Sequence, residues 1–169
     1  MQAVSERYAR VLVVRVDFAY KKKYHHLLSI KDFDNDMRIL RQRIHNRDGF
    51  FDGLIEYAWA LEQGIEKGYH CHLLLVYKGH KRKNAYGIAK RVGEIWESIT
   101  FNEGCYFNCH STAYLSQFEE KGMLGIGMIH TSNSKQVENM LATVQYLVRP
   151  EKEQQHLRAK VCRRMRTFG

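Results

Sequence analysis

The sequence predicts an α+β fold with a central, mainly antiparallel sheet of about five strands and flanking helices. Short segments rich in β-branched and aromatic residues follow one another with turn residues between them, which favours antiparallel pairing. Three longer segments place apolar residues at helical spacing instead.

The first half of the chain supplies three strands and one helix. Residues 10–18, RVLVVRVDF, predict a strand because they are rich in valine. The segment that starts at Asp32, DFDNDMRILRQRIH, opens with acidic residues and predicts a helix. Residues 54–61 predict a second strand, and residues 67–79 predict a third after a glycine-containing turn.

The second half supplies two helices and two weaker strands. Residues 84–100 predict a helix, and residues 105–115 and 123–130 are strand candidates. A last helix is expected from Ser134 to Arg149, just before the single proline. The order is strand, helix, strand, strand, helix, strand, strand, helix, which is related to the ferredoxin-like (RRM-like) arrangement.

Length and charge limit the function classes. The 169 residues predict one domain over 1–169 with a basic C-terminal tail at about 151–169. The net charge of +9 favours a polyanionic partner, meaning nucleic acid or an anionic membrane face. The longest apolar runs are strand-sized and the N-terminus has no signal-peptide pattern, so we expect a cytoplasmic protein without a membrane partner.

The cysteines give only a weak indication of a metal-binding site. Cys105, Cys109 and His110 resemble half of a zinc site, but no second ligand pair follows. Reduced thiols in a cytoplasm are the simpler interpretation.

Two alternating histidines in the third strand are the first candidate site. His70 and His72 share one strand face, and the preceding strand alternates bulky apolar with small or acidic residues. If Glu62 pairs with His70, then Ala60 faces His72 and a carboxylate lies beside two imidazoles. A register shifted by one residue would place large apolar side chains there instead.

Such a group would suit Mg²⁺ or Mn²⁺ held partly by a substrate phosphate, or a zinc-like ion. Glu56 would stand opposite Val76, about 20 Å along the strand from Glu62, and is the poorer third ligand. Two buried structural histidines with Glu62 capping a turn are the alternative. The hairpin alone leaves both interpretations open.

Tyr146 is the second candidate. At about 100° per residue it projects roughly opposite an apolar stripe of its helix, so core packing explains it poorly. The stripe consists of Val137, Leu141, Val144 and Val148. Arg149 follows one turn later on the same face, and no second tyrosine lies one turn away.

Three basic segments, 21–26, 78–83 and 158–166, are candidates for contact with DNA phosphates. A solvated surface is the alternative. The residues concerned are Lys21, Lys22, Lys23, Lys78, Lys81, Arg82, Lys83, Arg158, Arg163 and Arg164. Arg15 and Asp17 share a strand face and predict a salt bridge without an assigned role.

The segment GYHCHLLL, with Glu62 eight positions before His70 and VQYLVRPEKEQQHLR far downstream, resembles the HUH endonucleases. In that name U is the hydrophobic residue between the histidines, here Cys71. More narrowly, the chain is similar to inovirus-type replication-initiation proteins, including relatives on prophages and satellite elements. The similarity covers most of the chain, from the first strand to RRMRTFG.

The resemblance implies an HUH fold and the start of rolling-circle replication in a bacterial host. Such enzymes bind origin DNA as a single strand or hairpin, cut it with a tyrosine, and leave a 3′ hydroxyl for polymerase. His70 and His72 match the metal pair, Glu62 fits the third ligand by its spacing, and Tyr146 matches the nucleophile. Mg²⁺ or Mn²⁺ is the implied cofactor, with a host helicase and polymerase as further partners.

Arg149 departs from the lysine that related single-tyrosine initiators often carry. It keeps the positive charge that favours phenolate or holds a phosphate, but it is a worse proton donor. A relaxase or single-strand transposase of the same superfamily is one alternative, and a non-catalytic DNA-binding regulator is another. A histidine-triad hydrolase is rejected because Leu74 stands where a third alternating histidine is needed.

Overall fold

The computed structural model describes residues 2–64, 66–147 and 166–169. The strands are β1 (Arg10–Tyr20), β2 (Leu54–Gly64), β3 (Gly68–Lys78), β4 (Gly104–Asn108) and β5 (Gly127–His130). The helices are α1 (Gln2–Arg7), α2 (Ile30–His45), α3 (Ala85–Ile99), α4 (Thr112–Glu119) and α5 (Ser134–Leu147). The predicted α+β fold with a five-stranded sheet and flanking helices is confirmed.

Strand β1 is the centre of the sheet. The strand order is β2-β3-β1-β4, β5 also pairs with β1, and all of these pairings are antiparallel. Strand β5 pairs with Arg10 to Val13 and β4 pairs with Val16 to Tyr20, so the two share one edge of β1. The gap between them falls at Arg15, whose backbone N–H donates instead to Nε2 of His110 at 3.0 Å.

Helices α2 and α3 cover one face of the sheet. Helix α2 begins two residues before the predicted Asp32, because Ser29 and Asp32 form a reciprocal capping box. Gly93 of α3 leaves the space that the Tyr106 ring of β4 fills. The largest fully buried side chains of this layer are Trp96, Tyr77, Phe18, Phe33 and Phe51.

The opposite face is covered over only part of its area. Helix α5 contacts β5 and β2, and a second apolar cluster forms beneath it. The cluster includes Val11, Val13, Ala60, Leu74, Val76, Met140 and Leu147. Further along β1 the same face carries Asp17 and Ala19, which are partly exposed. An open stretch of sheet therefore adjoins the covered one.

The sequence does not predict two of the short helices, α1 and α4, and two predicted strands are too long. Residues 105–115 were expected to be extended, but β4 ends at Asn108. There the Asn108 side-chain oxygen accepts from the backbone N–H of His110, a local turn that stops the strand before α4. Strand β5 likewise begins only at Gly127.

The last described residues pair with the outer edge of β2. The N–H of Leu61 donates to the carbonyl of Thr167 at 2.7 Å, and Trp59 and Gly169 exchange two further backbone hydrogen bonds. Across the described ranges, no helix is long and apolar enough to cross a membrane.

Candidate metal centre

The hairpin of β2 and β3 has the register that the side-chain alternation predicts. Glu62 pairs with His70, Ala60 pairs with His72, and Glu56 pairs with Val76. The three chemically active side chains are nearly inaccessible: Glu62 is 1%, His70 5% and His72 6% exposed. Because all three side chains are buried on one face, His70 and His72 are not a pair of solvent-exposed histidines.

These side chains converge on one point. Oε2 of Glu62 lies 3.2 Å from Nε2 of His70 and 3.4 Å from Nε2 of His72. One ligand atom from each residue lies within 4.8 Å of the others, which is compatible with a shared metal ion. Glu56 is not part of this group, so Glu62 is the third ligand candidate.

The other ring nitrogen of each histidine is held by an oxygen acceptor. Nδ1 of His70 lies 3.0 Å from the carbonyl of Gly68, and Nδ1 of His72 lies 2.9 Å from Oδ1 of Asp17. Neither oxygen can donate, so both Nδ1 atoms act as donors in these contacts. A terminal nitrogen of Arg15 also lies 3.3 Å from Nδ1 of His72. Nε2 of each ring is thereby directed toward Glu62.

Three potential metal ligands therefore face one another in a buried space. A carboxylate oxygen and two imidazole nitrogens at these distances can share protons or can bind one cation together, and burial makes the group depend on such a partner. Two imidazoles and one carboxylate suit Zn²⁺, Mn²⁺ or Fe²⁺, and the carboxylate extends the choice toward Mg²⁺. The donor set fits a divalent metal ion with coordination positions left for a substrate.

Asp17 and Arg15 form the outer layer of the site. Arg15 donates from Nε and from a terminal nitrogen to the two oxygens of Asp17, each at 3.0 Å, which confirms the predicted salt bridge. Burial alone raises the pKa of Asp17, but the hydrogen bond with His72 and the charge of Arg15 bring it down to about 2. Asp17 thus stays ionised beside His72.

The same contacts act on His72. Burial alone lowers the pKa of His72, but its hydrogen bonds with Asp17 and Glu62 outweigh burial and raise that pKa. An imidazole backed by a carboxylate is the arrangement that orients metal-binding histidines. Sequence reasoning gave Asp17 no role, since the β1–β3 register that sets Asp17 opposite His72 cannot be deduced from either strand alone.

Tyr146 lies near the end of α5 and is 43% exposed, as its position off the apolar stripe predicts. Of that stripe, Val137, Leu141 and Val144 are only partly buried, whereas Met140 and Leu147 are the buried residues of the helix. Helix α5 packs on the sheet face that carries the two histidines, in the cluster that includes Ala60. Val148 and Arg149 lie outside the described residues.

The basic segments fall in different places. Lys21, Lys22 and Lys23 directly follow β1, and the His25 ring of this loop occupies the space where a Gly68 side chain would lie, two residues from His70. Residues 78–83 lie beyond the other end of β3, about 20 Å from His72 at strand spacing. This second group comprises Lys78, Lys81, Arg82 and Lys83, with Lys78 over the Tyr8 ring and Arg82 donating to the carbonyl of Asp52.

The tail candidates Arg158, Arg163 and Arg164 lie outside the described residues. Within the described ranges, Cys105, Cys109 and His110 do not gather into a metal-binding group. Cys105 and Cys109 are free thiols, and Nε2 of His110 is engaged by the backbone of Arg15.

Comparison with known proteins gives one family. No curated protein matches the chain, and no solved structure matches it either. A family model described as the YagK/YfjJ C-terminal domain spans residues 1–169, the full length of the sequence. The chain, with its buried Glu62, His70 and His72, belongs to the YagK/YfjJ C-terminal domain family.

Proposed function

We propose that this protein is a metal-dependent, single-tyrosine DNA endonuclease of the HUH type, which nicks and rejoins single-stranded DNA at a replication origin. The observation that carries the proposal is the convergence of Glu62, His70 and His72 with both Nδ1 atoms held from behind. An exposed tyrosine on the helix that packs against the same sheet face supplies a nucleophile. The net charge of +9 suits a polyanionic substrate.

The reaction is a transfer of a phosphodiester to tyrosine. The Tyr146 phenol loses its proton, its oxygen forms a bond to the scissile phosphorus, and the bond from phosphorus to the 3′ oxygen breaks. The 3′ oxygen takes up a proton, and the 5′ phosphate remains joined to Tyr146. Attack by a 3′ hydroxyl reverses these steps and joins the strand.

Each residue has a defined part in this proposal. A divalent ion, when bound by Glu62, His70 and His72, supplies charge stabilisation for the oxygens of the scissile phosphate. Asp17 holds His72 so that Nε2 stays directed into the site. Arg149 supplies the cation that favours phenolate, since an ordinary tyrosine has a pKa of about 10.

The biological setting we propose is rolling-circle replication of a phage, prophage or satellite element in the cytoplasm of a bacterial host. A host helicase and polymerase would act on the nicked strand. A relaxase or single-strand transposase would use the same chemistry with a different DNA substrate.

A DNA-binding regulator without catalysis is the competing function class. Such a protein needs no metal centre, and a buried carboxylate paired with two histidines would then have only a structural role. The presence of all three ligand candidates together with Tyr146 favours the enzyme.

The test is covalent capture of DNA. Wild-type protein is incubated with single-stranded DNA from the element's origin and Mn²⁺, and a denaturing gel is examined for a protein–DNA adduct. We expect an adduct for wild type, none for Tyr146→Phe, and no loss for Tyr86→Phe, a matched exposed tyrosine on α3. Absence of a wild-type adduct, or an undiminished adduct in Tyr146→Phe, would refute the proposed mechanism.

A further inference from the structure

The row of paired residues that contains His72 continues across the sheet to an aromatic side chain. Ala60 pairs with His72, His72 with Asp17, and Asp17 with Phe107 of β4. Directly paired residues point to the same face of a sheet, so Phe107 shares the face of the metal centre. Two strand spacings separate His72 from Phe107, which is about 10 Å.

Phe107 is held at the surface by other aromatic rings. Its ring meets Tyr114 of α4 edge to face at 5.2 Å, and Tyr114 in turn contacts Phe118 at 5.0 Å. Phe107 nevertheless remains 50% exposed. A ring fixed by its neighbours and half open to water is prepared for contact with another flat apolar group.

The sheet next to the row that runs from His72 through Asp17 to Phe107 is open. Ala19 pairs with Cys105, both share the face of Asp17 and Phe107, and both are partly exposed. These small side chains leave a shallow floor beside the centre. Tyr106, which alternates with Phe107, packs instead under α3 on the other face.

Charge identifies the occupant. The chain carries a net charge of +9, and Lys22 and Lys23, both exposed, follow β1 just past Ala19. A polyanion with exposed flat rings is a nucleic acid whose bases are unpaired, because a duplex hides the base faces within its own stack. An aromatic ring for the bases together with basic side chains for the phosphates is the usual means of holding such a strand.

We infer that Phe107 is a base-stacking site for a nucleotide of the single-stranded DNA whose phosphate occupies the metal centre. At about 3.4 Å per stacked nucleotide, the 10 Å separation corresponds to about three nucleotides. The inference rests on the proposed function for its substrate, but the stacking contact itself needs neither a metal ion nor strand cleavage.

Binding without catalysis tests it. Anisotropy of a labelled oligo-dT strand in EDTA is measured for wild type, Phe107→Ala and Phe107→Tyr. Loss of one stacking contact predicts about 5- to 150-fold weaker binding for Phe107→Ala, with an unchanged salt dependence. Phe107→Tyr keeps the ring and should bind like wild type.

Phe50→Ala is the matched control, because Phe50 is 39% exposed and lies on the α3 side of the sheet. There the guanidinium group of Arg91 lies over its ring. This variant should bind the strand like wild type. A labelled duplex should bind Phe107→Ala and wild type equally. Thermal unfolding of each variant shows that the fold is intact.

The outcomes separate the two proposals. If wild type binds the strand and forms the tyrosine adduct while Phe107→Ala binds equally well, the stacking inference is wrong and the nickase stands. If Phe107→Ala weakens binding of the single strand but wild type gives no adduct, the stacking inference is supported and the nickase proposal is wrong. Equal weakening for duplex and single strand would also overturn the stacking inference, and failure of wild type to bind any single strand would overturn both.

Discussion

Oδ1 of Asp17 lies 2.9 Å from Nδ1 of His72, and two hydrogen bonds from Arg15 hold the same carboxylate in place. The chain of contacts runs from β1 to β3 and on to Glu62 of β2, across three neighbouring strands. The orientation of His72 is therefore determined by the sheet itself, and mobile loops are not needed to assemble the centre.

Replacing Asp17 should weaken metal binding while the fold persists. In Asp17→Asn the acceptor for Nδ1 of His72 is neutral, so the imidazole is less basic and less well oriented. We expect metal affinity to fall about 10- to 100-fold, the usual effect of changing such a supporting carboxylate. Calorimetric titration of the metal-free protein with Mn²⁺ gives the affinity.

Asp36→Asn is the control for that change. Asp36 accepts a hydrogen bond from the Tyr20 hydroxyl at 2.7 Å and is not among the residues that converge on the metal centre. Its substitution should leave the Mn²⁺ affinity unchanged. Equal losses in both variants would mean that the Asp17 contact has no special role.

Glu62→Gln should change the effect of metal on stability. The amide keeps the size of the side chain and can still hydrogen-bond one Nε2, but it lacks the charge that binds a divalent ion. At about 100 times its dissociation constant, Mn²⁺ should stabilise wild type by about 2.7 kcal/mol and leave Glu62→Gln nearly unaffected. Melting temperatures with and without Mn²⁺ measure this, with Glu94→Gln on exposed α3 as control. An equal Mn²⁺ shift in Glu62→Gln would exclude Glu62 as a ligand.

Acid should destabilise the protein through His110. Burial lowers the pKa of His110 to about 4. Below about pH 6.5 the unfolded chain therefore binds a proton at His110, whereas the folded chain does not bind it until the pH approaches 4. Stability is therefore undiminished at pH 7 and falls between pH 6.5 and 4, by about 2 kcal/mol at pH 5.

His110→Gln isolates this effect, because the glutamine oxygen can still accept from the N–H of Arg15. Urea unfolding at pH 7 and pH 5 should show a smaller acid loss for the variant than for wild type. Identical losses in the two proteins would show that His110 is not the titrating group.

The two basic segments should differ in their contribution to DNA binding. Lys22 and Lys23 border the open face, whereas Lys81 and Lys83 lie beyond the far end of β3. Changing Lys22 and Lys23 to Gln should reduce the slope of log affinity against log salt by about 1.4 for single-stranded DNA. The Lys81 and Lys83 double variant should keep the wild-type slope. A reduced slope for that variant and an unchanged slope for the Lys22 and Lys23 variant would mean that the DNA binds near residues 78–83 instead.

The hairpin is the part of the site that the sequence could predict. Strand alternation places Glu62 and Ala60 on one face, and only one register sets them opposite His70 and His72. Such local pairing depends on a short turn and on side-chain size, which are both visible in the sequence. The exposure of Tyr146 followed from helical periodicity in the same way.

Contacts between strands distant in sequence could not be predicted. Asp17 reaches His72 only because β1 pairs with β3 in one particular register, and Phe107 joins that row through β4. Residues 105–115 are a weak strand candidate in the sequence, whereas in the structure a turn at Asn108 ends the strand and α4 follows. Tertiary pairing and side-chain-to-backbone hydrogen bonds override local propensity at these places.

Titration of the metal-free protein with Mn²⁺ tests the central claim most directly, since the roles proposed for Asp17 and Tyr146 depend on the centre formed by Glu62, His70 and His72. We expect one bound ion per chain in wild type and loss of that site in His70→Ala and in His72→Ala. His80→Ala, an exposed histidine beyond β3, should bind like wild type. No binding by wild type, or undiminished binding by the two histidine variants, would contradict the assignment of a metal centre.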